Sequence, residues 1–408
     1  MSNIIKRKLD AQVNGLSALQ QSSFSEQLYL FSFVVYLLAS FVTSTMFGQL
    51  STLVGPIAYY IIEFSAVLVI AKVAVFDGWE REKLIIFALV GIIFWQICKN
   101  SGELFYFYYY LFILGAKDVR FERIIKTFLV TIGSFLLVTI AASLLGGVID
   151  NLTYGRYMEA TIRYALGTIY PTDLAARAFY LLLAYAMLRR FHFKLVEYVS
   201  CLAITIFIYA VTDTRLDFYL MLLILLIALF YKYVVRLLEY LGSKLTAVIL
   251  ALFVFINIFL AYTFIPNNRF FEIANKVLSG RLTYGHLAFQ NYNIPFFGQY
   301  VYQMGNGGGV HKTPFQYFYI DSSFIRVLMM EGLLTFLALV GLLLLINHRF
   351  FKAHAYSLVI GMTLMILSSV IDQHLLELAF NVVFLGALAD LSYWKQPFGL
   401  KTKSQLQA

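Results

Sequence analysis

Six arginines, Arg156, Arg163, Arg215, Arg269, Arg281 and Arg326, stand in or beside long apolar runs, in loops that otherwise carry few basic residues. A guanidinium offers two parallel charge-assisted hydrogen bonds to a phosphate, which a lysine cannot match. Arginines gathered from segments this far apart suit a ligand with several anionic oxygens, such as a diphosphate. Each could also simply anchor at a membrane interface. Arg215, in "VTDTRLDF", is flanked by Asp213 and Asp217, so a local ion pair stands beside the anion-binding reading. Arg156 and Arg163 share a face if their stretch is helical. Arg281 follows the turn signal "SG" and opens a run with Leu282, Leu287, Ala288 and Phe289, a pattern that fits an amphipathic helix lying on a membrane.

Acids and histidines could supply the proton chemistry. Asp321, in "YFYIDSSFIRVLMMEGLL", stands where an apolar run begins, as a helix N-cap or as a general base at a cavity mouth. "IDQHLLELAFN" places Asp372, His374 and Glu377 in and beyond a tight turn on the same side, where ionisable groups are costly unless used or paired. Thr172 or Asp173 is a plausible cap after Pro171. Glu63 lies inside a span and should face other helices. His311 sits in a glycine-rich loop, "GNGGG", that reads as a hinge and lacks the Lys-Ser/Thr of a phosphate loop. The acids and histidines show no metal-ligand spacing, so no metal and no cofactor are expected.

The elements that must position these groups are membrane helices. The chain has 408 residues, 61% hydrophobic and 13% charged, and its mean hydropathy is +0.78. Apolar runs of spanning length recur near 28–48, 53–76, 84–98, 104–116, 124–149, 174–188, 195–212, 216–231, 245–265, 324–347, 355–371 and 375–391. The expected fold is all-α: one polytopic integral membrane domain over 1–408 with about twelve transmembrane helices. Cys98 and Cys201 both lie in apolar runs and imply no disulfide. Met1 to Glu26 is polar and has no signal-peptide pattern. The net charge of +9 resides in short loops, which orients a membrane protein and does not suggest nucleic acid. Arg81, Lys83, Lys117, Arg120, Arg189, Arg190, Lys232, Arg349 and Lys352 crowd one side, so both termini are expected in the cytoplasm. Two sizeable segments then lie outside, 150–173 and a large loop, 266–323.

Several segments resemble bacterial polysaccharide polymerases of the Wzy type and the O-antigen ligase superfamily. "RYALGTIYPTDLAARAF" is similar to their Arg-x-x-x-Gly…Pro segment, and "TDTRLDFYLMLLILL" to their Thr-x-Ser-Arg turn, with Thr214 in place of Ser. "LSGRLTYGHLAFQNYNIPFFGQ" resembles the Gly-Arg opening and Phe-Gly-Gln close of Gram-positive capsule and exopolysaccharide polymerases. "YFYIDSSFIRVLMMEGLLTF" resembles the motif after the large external loop; ligases begin it His-Asn, and here Asp321-Ser322 stand there, which favours polymerase over ligase. Arg156 with Gly167 and Arg269 with Gly280 fit the family's spacing of arginine and glycine.

The resemblance implies a glycosyltransferase-C-like fold in the bacterial cytoplasmic membrane, with no cofactor. It implies joining of oligosaccharide repeat units carried on undecaprenyl diphosphate, at the outer face, into cell-surface polysaccharide. A flippase and a chain-length regulator would be partners alongside membrane lipid. On this reading Asp321, Arg281 and Arg215 are catalytic, and Arg163, Arg156, Arg269, His311, Asp372 and His374 bind substrate. The stretch from Arg281 to Gln299 would lid the cavity, with Arg281 as phosphate clamp. The alternatives are an O-antigen-type ligase and a flippase or transporter of the same lipid-linked sugars; the latter usually shows duplicated halves and broken helices, and no duplication is visible in the sequence.

Overall fold

The computed structural model describes residues 2–146, 148–156, 159–305 and 317–395. It is mostly helical, with seven helices long and apolar enough to cross a membrane. Helix α1 (Ser2–Thr43) supplies a span from Ser23, and α2 (Val54–Val75) and α3 (Arg81–Ser101) follow. Next come α4 (Leu104–Gly115), α5 (Phe121–Leu144), α6 (Pro171–Leu188), α7 (Leu195–Thr212) and α8 (Arg215–Leu229). Helix α9 (Tyr231–Tyr262) bends at Gly242, whose φ of 67° no helix interior adopts. The basic segment Lys232–Lys244, expected as a loop, therefore lies within α9. The outer faces of α2 and α3 are apolar and exposed, Tyr60, Phe64, Ile86 and Ile92 among them, as lipid contact demands.

The region between α5 and α6 is not helical. Strands β1 (Thr153–Arg156) and β2 (Glu159–Tyr164) form an antiparallel hairpin. The shared helix face of Arg156 and Arg163 is overturned, because strand pairing has taken the backbone bonds a helix would need.

The large loop holds two helices. Helix α10 (Arg269–Val277) exposes Phe270, Ile273 and Val277, so α10 is the amphipathic surface helix of this region. Helix α11 (Arg281–Asn291) instead buries Leu282, Gly285 and Ala288, with Ala261 and Ile325 among the neighbours. Between the two, Gly280 (φ 90°) reverses the chain. The Asn275 carboxamide then accepts from Leu282 N at 3.1 Å and Thr283 N at 3.2 Å, capping the new helix start.

The span after the loop is broken. Helix α12 (Ser323–Arg326) passes through a π turn (Val327–Glu331) into α13 (Gly332–Lys352). Gly332 has φ 87° and ψ 175°, a conformation essentially restricted to glycine. The groups freed at the break are met by "NIPFFGQ": Leu333 N donates to Pro295 O (2.9 Å), Gln299 N to Met330 O (2.8 Å), and Gln299 Nε2 to Met329 O (2.9 Å). A Cβ on Gly332 would lie 2.8 Å from Pro295 O and 2.9 Å from Gly298 N. Gly332→Ala is expected to lower the melting temperature of the detergent-purified protein, reflecting strain of about 1–3 kcal/mol before any clash; an unchanged melting curve would refute this account of the break.

Helix α14 (Tyr356–Ser368) has 13 residues, about 20 Å of helix at 1.5 Å per residue. Beyond it the apolar run 375–391 is not a helix, contrary to the twelfth expected span. It consists of 3₁₀ turns at His374–Leu376 and Val383–Ala387 joined by irregular chain, ahead of the short α15 (Ser392–Lys395). Side chains replace the missing helical bonds. Asn381 Nδ2 donates to Leu375 O at 2.7 Å and its Oδ1 accepts from Val383 N at 2.9 Å. The Tyr109 hydroxyl donates to Asn381 O, and Arg349 donates to the carbonyls of Ala387 and Ala389. Non-helical chain at membrane depth is tolerated only when enclosed by protein in this way. Hydropathy registers how apolar the run is and is blind to these bonds.

Candidate functional site: a polar cavity at the helix ends

One end of the bundle holds a cavity of about 550 Å³, within the range of pockets that enclose a small-molecule head group, roughly 300–1,000 Å³. Three helices begin at it. The first turns of α6 (Thr172, Asp173), α8 (Arg215, Leu216, Asp217) and α11 (Arg281) line its wall. A helix N-terminus carries unpaired N–H groups and a partial positive charge, so three converging ones favour an anion.

Three arginines strengthen that field. Arg163, on β2, donates through Nε to Thr212 O (2.7 Å) and through Nη2 to Thr214 Oγ1 (3.3 Å), which ties the hairpin to the end of α7. Arg215 lies on the same turn, 3.9 Å from Asp213. Asp213 has φ 45° and ends α7, letting α8 start at once. Arg281 donates through Nε to Ile371 O (3.1 Å) and lies 3.5 Å from the Asp321 carboxylate.

Asp321 does not cap a helix. Ser322 holds the N-cap position of α12, and its hydroxyl donates to Asn257 Oδ1 instead. The Asp321 carboxylate faces the cavity. Burial raises its pKa above the usual carboxylate range, against the opposing pull of Arg281, Arg326 and His374. Asp173 is likewise no cap: Tyr170 holds that position with Pro171 first in the helix. Asp173 turns toward His374, 3.9 Å away.

The same lining holds a knot of acids around one imidazole. His374 Nε2 lies 3.3 Å from Asp372, and Nδ1 lies 2.9 Å from Glu377. Burial disfavours a charged ring here, but Asp372, Glu377 and Asp173 together outweigh it and hold the His374 pKa above its usual value. The imidazolium is therefore present at neutral pH and lost only as pH rises past that raised value. Burial pushes the Asp372 pKa up, while His374 restrains it. The His374 ring stacks on Phe380 at 3.6 Å, and the Arg177 guanidinium sits 4.2 Å from the same ring and 4.4 Å from Phe41. Buried Arg177 donates to Ser44 Oγ at 2.6 Å. It lies beneath the acid knot, where a second cation offsets the crowded carboxylates.

Tyr170, Tyr284, Tyr317 and Tyr319 complete the lining. Tyr170 is held by Tyr154, stacked at 5.7 Å, and Tyr284 meets Tyr317 edge-on at 5.0 Å. The Tyr319 hydroxyl donates to Gln373 Oε1.

Arg163, Arg215, Arg281, Asp321, Asp372 and His374 thus meet in one place. Arg269 does not join them; it opens α10 and is exposed. Arg156 ends β1, and its side chain lies outside what the structure describes. His311 lies outside the described residues, as does most of the "GNGGG" hinge. Arg326 serves as a pin between segments: it pairs with Glu103, donates to Gln303 Oε1 at 3.0 Å, and bonds the Tyr106 hydroxyl at 3.3 Å. Of the stretch expected as a lid, Arg281 and Tyr284 line the cavity, while 293–299 docks into the break of the α12–α13 span. Glu63 is half-buried in α2, away from the lining. The four tyrosines had no role assigned from the sequence, and Asp217 was read there only as an ion-pair neighbour of Arg215. An aspartate in the first turn of a helix that opens with arginine was the available signal for Asp217.

Comparison of the chain with protein-family models, with curated proteins and with solved structures finds no match.

Proposed function

We propose that the protein is a glycosyltransferase that polymerises oligosaccharide repeat units carried on undecaprenyl diphosphate, and that the cavity is its active site. The observation that supports this best is the meeting of Arg163, Arg215 and Arg281, from three distant segments, with three helix N-termini at one cavity that also holds carboxylates. The asymmetry of basic residues supports a cavity on the outer face of the cytoplasmic membrane with both termini in the cytoplasm. A flippase would deliver the units there, and a chain-length regulator would act on the product.

In this reading the donor's diphosphate lies on the arginine rim. A hydroxyl oxygen of the acceptor sugar attacks the donor's anomeric carbon, and the bond from that carbon to the diphosphate oxygen breaks. The departing diphosphate keeps the electron pair, and the arginines and helix dipoles stabilise the charge that develops on it. Asp321 takes the hydroxyl proton and later releases it to water. Because Asp321 stands beside Arg281, the base and the leaving-group clamp are neighbours. The reaction needs neither metal nor cofactor in this scheme.

A second reading, a transporter of the same lipid-linked sugars, gains one specific observation. The span Ser323–Lys352 is broken at Glu331–Gly332, and Glu331 is fully buried there. Broken helices and intramembrane acids recur in transporters. Glu331 does not line the cavity, however, and the break is filled by 295–299. Reconstitution of the purified protein with lipid-linked repeat units separates the readings. Chain lengthening with release of lipid diphosphate is the expected result; movement of units across the bilayer without lengthening would replace polymerase by transporter.

A further inference from the structure

Asp321 lies between two lengths of chain that are held by different partners. After it, the Ser322 hydroxyl donates to Asn257 Oδ1 (3.0 Å) and Ser323 N donates to Ser369 O (2.9 Å). Before it, Ile320 N donates to Gln303 Oε1 (2.9 Å), and Met304 and Phe318 exchange both backbone bonds (2.9 and 3.1 Å). The same Gln303 oxygen accepts from Arg326 Nη1 at 3.0 Å. Resting on the function proposed above, we infer that Gln303, held by Arg326, is a positioning residue that aims the Asp321 carboxylate at the acceptor hydroxyl. Neither Gln303 nor Arg326 lines the cavity among the described residues.

A general base must stand within about 2.6–3.2 Å of the group whose proton it takes, and a misplacement of about 1 Å can cost roughly 10²-fold in rate. Arg281 does not supply that precision. Its Nε is 3.5 Å from Asp321 Oδ2, beyond the range of a charge-assisted hydrogen bond, about 2.7–2.9 Å. The same Nε donates to Ile371 O. The backbone therefore sets where the carboxylate points, and the Ile320 bond holds the residue next to it. Gln303 can do this only if its own side chain is fixed. Arg326 fixes it. The guanidinium is buried, pairs with Glu103 and bonds the Tyr106 hydroxyl (3.3 Å), so it is anchored to the start of α4 and not to the loop. An amide oxygen has two lone pairs, and here both are taken; two donors on one atom also fix which end of the amide is oxygen.

The test is chain lengthening by the full-length protein in nanodiscs supplied with lipid-linked repeat units, with binding of a sugar-free prenyl diphosphate measured beside it. Gln303→Met removes the acceptor and keeps the length of the side chain. It is expected to lower kcat roughly 10–100-fold, with KM and prenyl diphosphate binding within about twofold of wild type. The acid limb of the pH profile should stay in place, because no ionisable group facing Asp321 is altered: Arg281, Arg326, His374, Asp372 and the tyrosines Tyr284, Tyr317 and Tyr319 all remain. Gln303→Glu keeps an acceptor oxygen for both donors and should recover most of the kcat. Arg326→Lys keeps a charge for Glu103 and loses the fork that reaches Gln303; it should fall as far as Gln303→Met, and the double variant no further. Gln303→Asn, which withdraws the amide by one methylene, is the second variant if Gln303→Met folds poorly. Wild-type kcat in Gln303→Met, or a loss that takes prenyl diphosphate binding with it and is not recovered in Gln303→Glu, overturns this inference and spares the proposed function. Wild-type protein that lengthens no chains overturns both.

Discussion

Replacing Arg163, Arg215 and Arg281 together by glutamine is expected to abolish binding of a prenyl diphosphate and to leave repeat units unpolymerised. Each arginine approaches the cavity from a different segment, so no one of them can cover for the other two. Loss of a single donor aimed at developing charge costs roughly 10²–10³ in turnover, and the triple change removes all three side-chain cations. The singles should differ in kind. Arg163 also ties β2 to Thr212 and Thr214, so its loss should lower thermal stability as well as turnover. Arg281→Lys keeps a charge and loses the fork, and should bind the diphosphate more weakly without abolishing it. Direct binding of the sugar-free prenyl diphosphate, measured beside a melting curve, distinguishes a lost site from a lost fold. A triple variant that binds like the wild type would return these arginines to interface anchoring.

The second large effect falls on Asp321. Asp321→Asn keeps the shape and removes the charge, and is expected to slow polymerisation roughly 10²–10⁴-fold while lipid-linked units still bind. Because Ser322 takes the N-cap position, loss of a helix cap does not account for such an effect. The pH dependence carries a sign. The base works ionised, so the rate should fall as pH drops through the Asp321 pKa. Burial sets that pKa above the value of about 3.9 for a free aspartate. In the asparagine variant the acid limb should disappear from the profile. If the slow variant keeps the same acid limb, Asp372 becomes the base and Asp321 a positioning partner of Arg281.

The cavity was legible in the sequence to an unusual extent, for a physical reason. A membrane chain pays heavily for charge near lipid, so Arg163, Arg215, Arg281, Asp321, Asp372 and His374 stood out against apolar surroundings. Their meeting could not be read, because it depends on where unrelated helices begin. Three features were hidden altogether. The hairpin at 153–164 forms where polar and apolar residues fit strand and helix equally. The run 375–391 has a helix's composition, but its backbone is held by Asn381, Tyr109 and Arg349. The break at Gly332 follows Glu331 within an otherwise apolar span, and neither residue type by itself demands a break; the positive φ of Gly332 gives it away. Tyrosine is so common in this chain, 29 residues, that its use at the cavity carried no signal.

The irregular segment after α14 has a consequence for how the protein is made. A helical span satisfies its own backbone and can enter lipid alone. Residues 375–391 cannot, since their partners Tyr109 and Arg349 belong to helices inserted earlier, and the Tyr109 bond closes a separation of 272 residues. Contacts across such distances form late, after the chain entropy between them has been surrendered. His374 and Asp372 border this segment, so their part of the cavity lining is assembled last, and Arg281 gains its bond to the Ile371 carbonyl only then. During biogenesis the half-built cavity would stay open on that side until its final turn of chain settles into place.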